Sequence, residues 1–336
     1  MNAPLLIPAH HLSVVVPIYN EEDNVAPLVA RVSEALAEYA HPWELVLVDD
    51  GSSDATAERA LAAQRQYGAH IRLVELTRNY KQTAAMQAGV DAARGDVIVT
   101  MDGDLQNDPV DIPRMVARLL NEDLDLVAGW RKNRQDGLLL RKIPSKIANK
   151  LIARMTGVHL RDYGCSLKAY RASVIKQVRL YGEMHRFIPA WMATVTTPRR
   201  IAQEPTTHHA RTAGVSKYGI SRTFRVILDL IAVYFFMRFR ARPGHFFGGI
   251  GLGLTGISMA ALAWLGWLKF GLGEHIGGRP LLLVAIGGLI AGVHFITTGV
   301  LAELLARIYF ESGTVRSYAA RPTAPLNQDE GWCLPR

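Results

Sequence analysis

Between residues 12 and about 130, short apolar runs alternate with stretches of helical periodicity. Runs at 12–18, 44–48, 71–76, 97–101 and 124–128 are rich in Val, Ile and Leu, are bounded by turn residues, and predict strands. Between them, 23–39, 54–67, 83–93 and 109–120 space their apolar residues for helices, several opened by Ser, Asp or Pro as helix starts require. Strand and helix in strict alternation predict an α/β domain whose mostly parallel sheet is wound with helices.

The pattern changes downstream. Lys142, Lys146, Lys150 and Arg154 recur every fourth residue with Ile143, Ile147, Leu151 and Met155 one position behind, which predicts a basic amphipathic helix at 141–156. Such a face is either solvated over a core or laid on anionic lipid. Residues 247–268 carry no charge, and 281–302 have only His294 as a titratable group. At the α-helical rise each spans about 33 Å, enough for a hydrocarbon core of about 30 Å. A short connection makes the pair a hairpin. Arg238, Arg240, Arg242, Arg307, Arg316 and Arg321 flank its outer ends, against Lys269 and Arg279 in the turn, which predicts both ends on the cytoplasmic side.

The expected organisation is therefore a catalytic domain at 1–226, an interfacial helix at 227–243, the membrane hairpin at 244–310 and a tail at 311–336. Gly249 with Gly253, and Gly288 with Gly292, supply small residues four apart that permit close helix approach within or between protomers. The run Gly251-Leu252-Gly253-Leu254-Thr255-Gly256 matches a dinucleotide-binding pattern. No strand precedes it, so helix packing explains it better.

With 336 residues, 49% hydrophobic and 20% charged, the chain holds one large core and something more. A net charge of +8 favours anionic partners, among which nucleic acid explains the charge but not the hairpin. Cys165 and Cys333 give neither a metal-ligand spacing nor a disulfide framework, and fit a reduced cytosolic domain. The apolar start at Leu5-Leu6-Ile7 is too short, and lacks the basic leader, for a signal peptide.

Candidate chemistry sits at strand ends. Asp102-Gly103-Asp104-Leu105-Gln106 follows the fourth apolar run, so two carboxylates emerge where a buried parallel strand stops and where open α/β sheets bind ligands. Two such groups one residue apart suit a hard divalent cation, Mg²⁺ or Mn²⁺, whose other sites water and a substrate diphosphate fill. Tyr19-Asn20-Glu21-Glu22 and Val48-Asp49-Asp50-Gly51-Ser52-Ser53-Asp54 end the first two strands and offer groups that can hydrogen-bond a ribose and a base. Part of the second motif is also plain turn and cap chemistry. His208 and His209, adjacent on a strand, point to opposite faces and cannot share one ligand.

In this order and spacing, Val-Val-Pro-Ile-Tyr-Asn-Glu, Val-Asp-Asp-Gly-Ser-Ser-Asp and Asp-Gly-Asp-Leu-Gln resemble family-two glycosyltransferases of the GT-A fold, within them the polyprenyl-phosphate branch. Further stretches carry the resemblance: Arg78 to Gln82, Gly129-Trp130-Arg131, Asp162-Tyr163-Gly164-Cys165 and Gly214-Val215-Ser216-Lys217-Tyr218. Asn133 to Asp136 and Asp162 to Cys165 look most like the formamido-arabinose members, whereas Glu183 to Phe187 look like other bacterial members.

The resemblance implies a GT-A domain followed by interfacial helices and two membrane helices, in the bacterial inner membrane with the site on the cytoplasmic side. It implies that Asp102, Asp104 and Gln106 hold the metal and donor diphosphate. Pro17, Tyr19, Asn20, Glu21, Asp49, Asp50, Ser52, Asp54, Lys81 and Gln82 would surround the nucleotide-sugar. Arg131, Ser145, Arg211, Ser216 and Lys217 would face phosphates, with Asp102, Asp104 and Arg131 carrying the reaction. The implied partners are a nucleotide-diphosphate sugar (UDP-linked, or GDP-mannose as the alternative), undecaprenyl phosphate, the bilayer and further copies of the chain, as a tetramer. The product would serve cell-envelope glycan or lipid A modification.

A polyprenyl phosphate is mostly dianionic at neutral pH, since its second pKa lies near 6, so the expected reaction is a single inverting displacement that needs no general base. A processive polysaccharide synthase would carry a Gln-x-x-Arg-Trp motif and more membrane helices. A nucleotidyltransferase would need no anchor, and an inactive scaffold would show degraded motifs.

Overall fold

The computed structural model describes residues 7–131, 152–154, 156–180, 182, 184–209, 235, 239, 243–311 and 332–333. The chain divides into two units, Met1–Leu230 with Arg316–Arg336, and Ile231–Val315. Of the basic segment 141–156, only 152–154 and 156 fall within the described residues, where they are helical. The segment 227–243 is described only at Phe235, Phe239 and Pro243.

The first unit is a seven-stranded sheet in the order β3-β2-β1-β4-β6-β5-β7. The strands are β1 (Leu12–Ile18), β2 (Trp43–Asp49), β3 (Ile71–Glu75), β4 (Val97–Thr100), β5 (Leu126–Arg131), β6 (Lys168–Arg171) and β7 (Ile201–Thr206). All run parallel except β6, which is antiparallel to both β4 and β5. The helices are α1 (Glu22–Ala35), α2 (Thr56–Tyr67), α3 (Gln82–Ala92), α4 (Ile112–Asn121), α5 (Ala172–Ile175) and α6 (Ile188–Met192). Helix α3 packs on β1 and β2, and α4 on β5 and β6.

Burial explains why the central strands lack alternation. Every residue of β2 is buried, and β1 is buried except at Pro17, as expected when helices cover both faces of a parallel sheet. Val14, Val16, Leu45, Leu47, Val97 and Val99 join one core with Leu28, Val32 and Met115 of the helices. Glu44 is among the acids buried with it. Glu44 is wholly covered, paired to Arg72 Nη1 and Arg94 Nη2, each at 2.8 Å, and it accepts the Ser13 hydroxyl at 2.7 Å.

Strands β6 and β7 are not predicted by the sequence pattern. Strand β6 is four residues long and begins with a lysine, and β7 is an edge strand interrupted by Pro205, where the missing N–H costs no ladder bond. A further rung comes from the C-terminal end: Cys333 bridges Trp43 antiparallel, through Trp43 N–H to Cys333 O at 3.1 Å and Cys333 N–H to Trp43 O at 2.8 Å. The Trp332 ring stacks on His11 at 4.9 Å and under the Arg94 guanidinium at 4.7 Å.

The second unit is a pair of helices, α7 (Pro243–Phe270) and α8 (Pro280–Glu311), both long and apolar enough to cross a membrane. They meet through small residues. A Cβ on Gly251 would stand 2.7 Å from Gly292 O, and one on Gly288 would stand 2.4 Å from the Ser258 hydroxyl. Gly288 and Gly292 thus pack within the hairpin, whereas a Cβ on Gly249 or Gly253 would meet no described atom within 4 Å. The dinucleotide-like pattern 251–256 is part of this helix. Large side chains of both helices, among them Leu252, Ile257, Leu283 and Ile290, are exposed along their length, as a lipid-facing surface requires.

Candidate active site

The order of the strands locates the site. From β1 the sheet grows outward to β2 and β3, then the chain returns to place β4 on the other side of β1. That reversal opens a crevice beyond the carboxyl ends of β1 and β4. Tyr19 to Glu21 leave β1 on one side of it, and Asp102 to Asp104 leave β4 on the other. Because β6 is antiparallel and Lys168 pairs with Thr100, the segment leading into β6 starts at the same edge. Arg131 ends β5 there, and Thr206 ends β7 beside it.

The Asp102–Gln106 loop is shaped by its own small and apolar residues. Gly103 passes so close over β1 that a Cβ would lie 2.8 Å from Ile18 Cγ2. Leu105 takes a left-handed φ of +61° and buries its side chain in the core. Asp102 Oδ1 accepts Gln82 Nε2–H at 2.7 Å, and the carboxylate also takes a bond from Ser166. Asp104 Oδ1 accepts the Gln106 N–H at 3.2 Å. Burial, then the charge of Asp104, push the Asp102 carboxyl above its ordinary value. Two carboxylates in a covered site that repel each other are a donor set that fits a divalent cation. Among the described residues no third His, Cys, Asp or Glu joins them.

On the β1 and β2 side, the acidic motif is knitted into the backbone. Asn20 has a φ of +52°, gives its N–H to Ser52 Oγ at 2.9 Å and accepts the Ser53 N–H at 2.9 Å. Asp49 holds Ser52 through its N–H at 3.2 Å and through its hydroxyl. Asp54 accepts the Thr56 N–H at 3.0 Å, which starts α2. Asp50 is buried and accepts the Tyr80 N–H at 2.7 Å, and burial lifts its pKa above the usual aspartate value. Gly51, at φ +68°, is required because a Cβ would stand 2.5 Å from Arg78 C. Tyr19, Lys81 and Gln82 remain exposed, and Lys81, at φ +76°, opens α3.

The opposite wall was only partly legible in sequence. Arg131 is bound side-on by Asp162, Nε to Oδ2 at 2.7 Å and Nη2 to Oδ1 at 3.1 Å, and Gly164 N–H donates to the same acid at 3.0 Å. Burial opposes the Arg131 charge, and the Asp162 bonds outweigh it, so its pKa is raised. Lys168 is fully buried, donates to Cys165 O, and has its pKa lowered by burial. Ser166 Oγ accepts Asn107 Nδ2–H at 2.7 Å, and its carbonyl accepts the Thr100 hydroxyl at 3.0 Å. Neither Ser166 nor Lys168 carries a sequence signal, because their positions follow from β6 being antiparallel. His209 N–H donates to Gln106 O at 2.8 Å, and its Nε2 meets Asp108 Oδ2 at 2.9 Å, while His208 bridges Asn107. The two histidines thus hold the end of β7 to the acidic loop. Ser145, Arg211, Ser216 and Lys217 lie outside the described residues.

Residues 13–179 match the family Glycosyl transferase family 2. Over 310 residues, 92% of each chain, the sequence is 62% identical to dodecaprenyl-phosphate galacturonate synthase of Rhizobium johnstonii. It is 38% identical over 305 residues, 90% of each chain, to undecaprenyl-phosphate 4-deoxy-4-formamido-L-arabinose transferase of Salmonella choleraesuis. The protein belongs to the polyprenyl-phosphate glycosyltransferases of family two. Solved structures share the glycosyltransferase fold. Glucosyl-3-phosphoglycerate synthase of Mycobacterium tuberculosis, in complex with Mn²⁺, UDP and glucosyl-3-phosphoglycerate, superposes with a TM-score of 0.51 at 19% identity, over 68% of this chain and 80% of that one. A second mycobacterial protein gives 0.53 at 23% identity, over 68% and 74%.

Proposed function

We propose that this glycosyltransferase moves galacturonic acid from a UDP-linked donor to a long-chain polyprenyl phosphate, with inversion at the anomeric carbon. The observation that carries the reading is the placement, at one sheet edge, of the Asp102–Asp104 carboxylates and the Arg131 guanidinium, whose charge acts on Asp102. The identity of 62% to a galacturonate synthase, against 38% to a formamido-arabinose transferase, favours the uronic acid.

In this reading Tyr19, Asn20, Glu21, Lys81 and Gln82 contact the nucleotide-sugar, and Asp49, Asp50, Ser52 and Asp54 fix the turn beneath it. Asp102 and Asp104, with Gln106, hold Mg²⁺ or Mn²⁺, which would neutralise the departing diphosphate. Gln82 and Ser166 keep Asp102 aimed at that position. Arg131 meets the acceptor phosphate, joined by Ser145, Arg211, Ser216 and Lys217. An acceptor already dianionic needs only alignment behind the anomeric carbon, where positioning alone is worth several powers of ten in rate. The protein sits in the bacterial inner membrane with its site and both termini cytoplasmic. The arginines outside the hairpin support this, as does the pairing of Cys333 with Trp43 of the catalytic unit.

The test is to incubate the purified full chain with Mg²⁺ or Mn²⁺, undecaprenyl phosphate and a panel of UDP- and GDP-sugars, reading lipid products by mass spectrometry. A polyprenyl-phosphate hexuronate is expected, and Asp104→Asn should lower its formation by about 10² or more. A formamido-arabinose or hexose product would overturn the donor, and an anomer of retained configuration would overturn the single displacement.

A further inference from the structure

The segment before β6 contributes more than a connection. Asp162 and its neighbour clamp the end of β5 twice: Arg161 lies over the Trp130 ring at 4.3 Å, and Asp162 forks Arg131 through two bonds. The clamp is itself held, because Arg161 N–H donates to Gln203 Oε1 on β7 at 2.7 Å and the Gly164 N–H fixes the Asp162 carboxylate. The two side chains of the ion pair are 17% and 11% exposed, so the pair is shielded from the solvent screening that makes surface pairs weak.

A guanidinium has five N–H groups in one plane, and this pairing takes Nε and one N–H of Nη2. The Nη1 edge lies outside the fork. We infer that Asp162 is the positioning residue of Arg131: it locks the guanidinium plane so that the Nη1 edge is presented to the acceptor phosphate. The inference rests on the reading of Arg131 as the acceptor-phosphate contact. In this role Asp162 acts through Arg131 and touches no reacting atom. Removing its charge therefore releases the plane, weakens acceptor capture and leaves donor binding in place.

A double-mutant cycle tests this on the full chain in detergent, with undecaprenyl phosphate as acceptor and the active UDP-sugar as donor. Asp162→Asn and Arg131→Lys are each expected to raise the acceptor KM about tenfold or more, with the donor KM unchanged. In the Arg131→Lys background, Asp162→Asn should then add almost nothing. Asp162→Glu, which keeps the charge and displaces the fork, should also raise the acceptor KM while the thermal midpoint stays put, separating positioning from folding. An equal loss from Asp162→Asn in both backgrounds would overturn the inference and leave Arg131 in its role. An unchanged acceptor KM in Arg131→Lys would overturn the reading of Arg131 and the inference with it.

Discussion

Glu44 shows how much one residue can depend on its neighbours. Burial alone would raise its pKa, but the charge of Arg72, the N–H of Arg94 and the Ser13 hydroxyl overcome it and hold the carboxyl below its ordinary value of 4.5. A depressed carboxyl stabilises the fold fully above the unfolded pKa. That contribution disappears as pH falls through the lower, folded value. Glu44→Gln leaves two arginines facing a neutral amide, and we expect a loss of about 3–5 kcal/mol with much of the acid sensitivity below pH 4.5 removed. Denaturant titrations at pH 7 and pH 4 measure both. The residues of the candidate site divide in the same way between what is local and what is assembled. Asp102 and Asp104 are readable in sequence because both acids belong to one loop after one strand. Asp162 is visible only as part of a motif, and Ser166 not at all, since its link to Asp102 needs β6 to run against β4.

At the scale of elements, legibility follows length and uniformity. The inner parallel strands β1, β2, β4 and β5 and the two apolar helices announce themselves, because burial on both faces and lipid contact each demand long unbroken apolar runs, while the half-buried edge strand β3 shows only a short one. Strand β6 hides behind Lys168, whose burial is made tolerable by the Cys165 carbonyl and nearby acids, and β7 hides behind Pro205. The small residues of the hairpin were recognisable as packing residues, but not which of them pack. Gly292 faces α7, and a Cβ there would stand 2.8 Å from Thr255 N, whereas Gly253 has open space. Gly292→Leu is therefore expected to lower the thermal midpoint of the detergent-solubilised protein by several degrees, and Gly253→Leu to leave it within a degree or two. Equal effects would mean that Gly253 also lies in a contact.

For the whole molecule, a polyprenyl-phosphate glycosyltransferase has to bring a sugar donor to a lipid acceptor, and the chain combines a GT-A sheet with two helices long and apolar enough to cross a membrane. Its net charge of +8 suits a surface facing anionic headgroups and phosphates. The arginine distribution around the hairpin leads us to expect that a reporter fused after residue 336 reads cytoplasmic; a periplasmic signal would invert the topology.

The rung that Trp332 and Cys333 add at Trp43 has a consequence for how the protein is made. Those residues follow both apolar helices in the chain and are synthesised after them. The start of β2 thus lacks this rung until both helices have been made. We expect this contact to form only in chains whose two ends lie on the same side of the membrane.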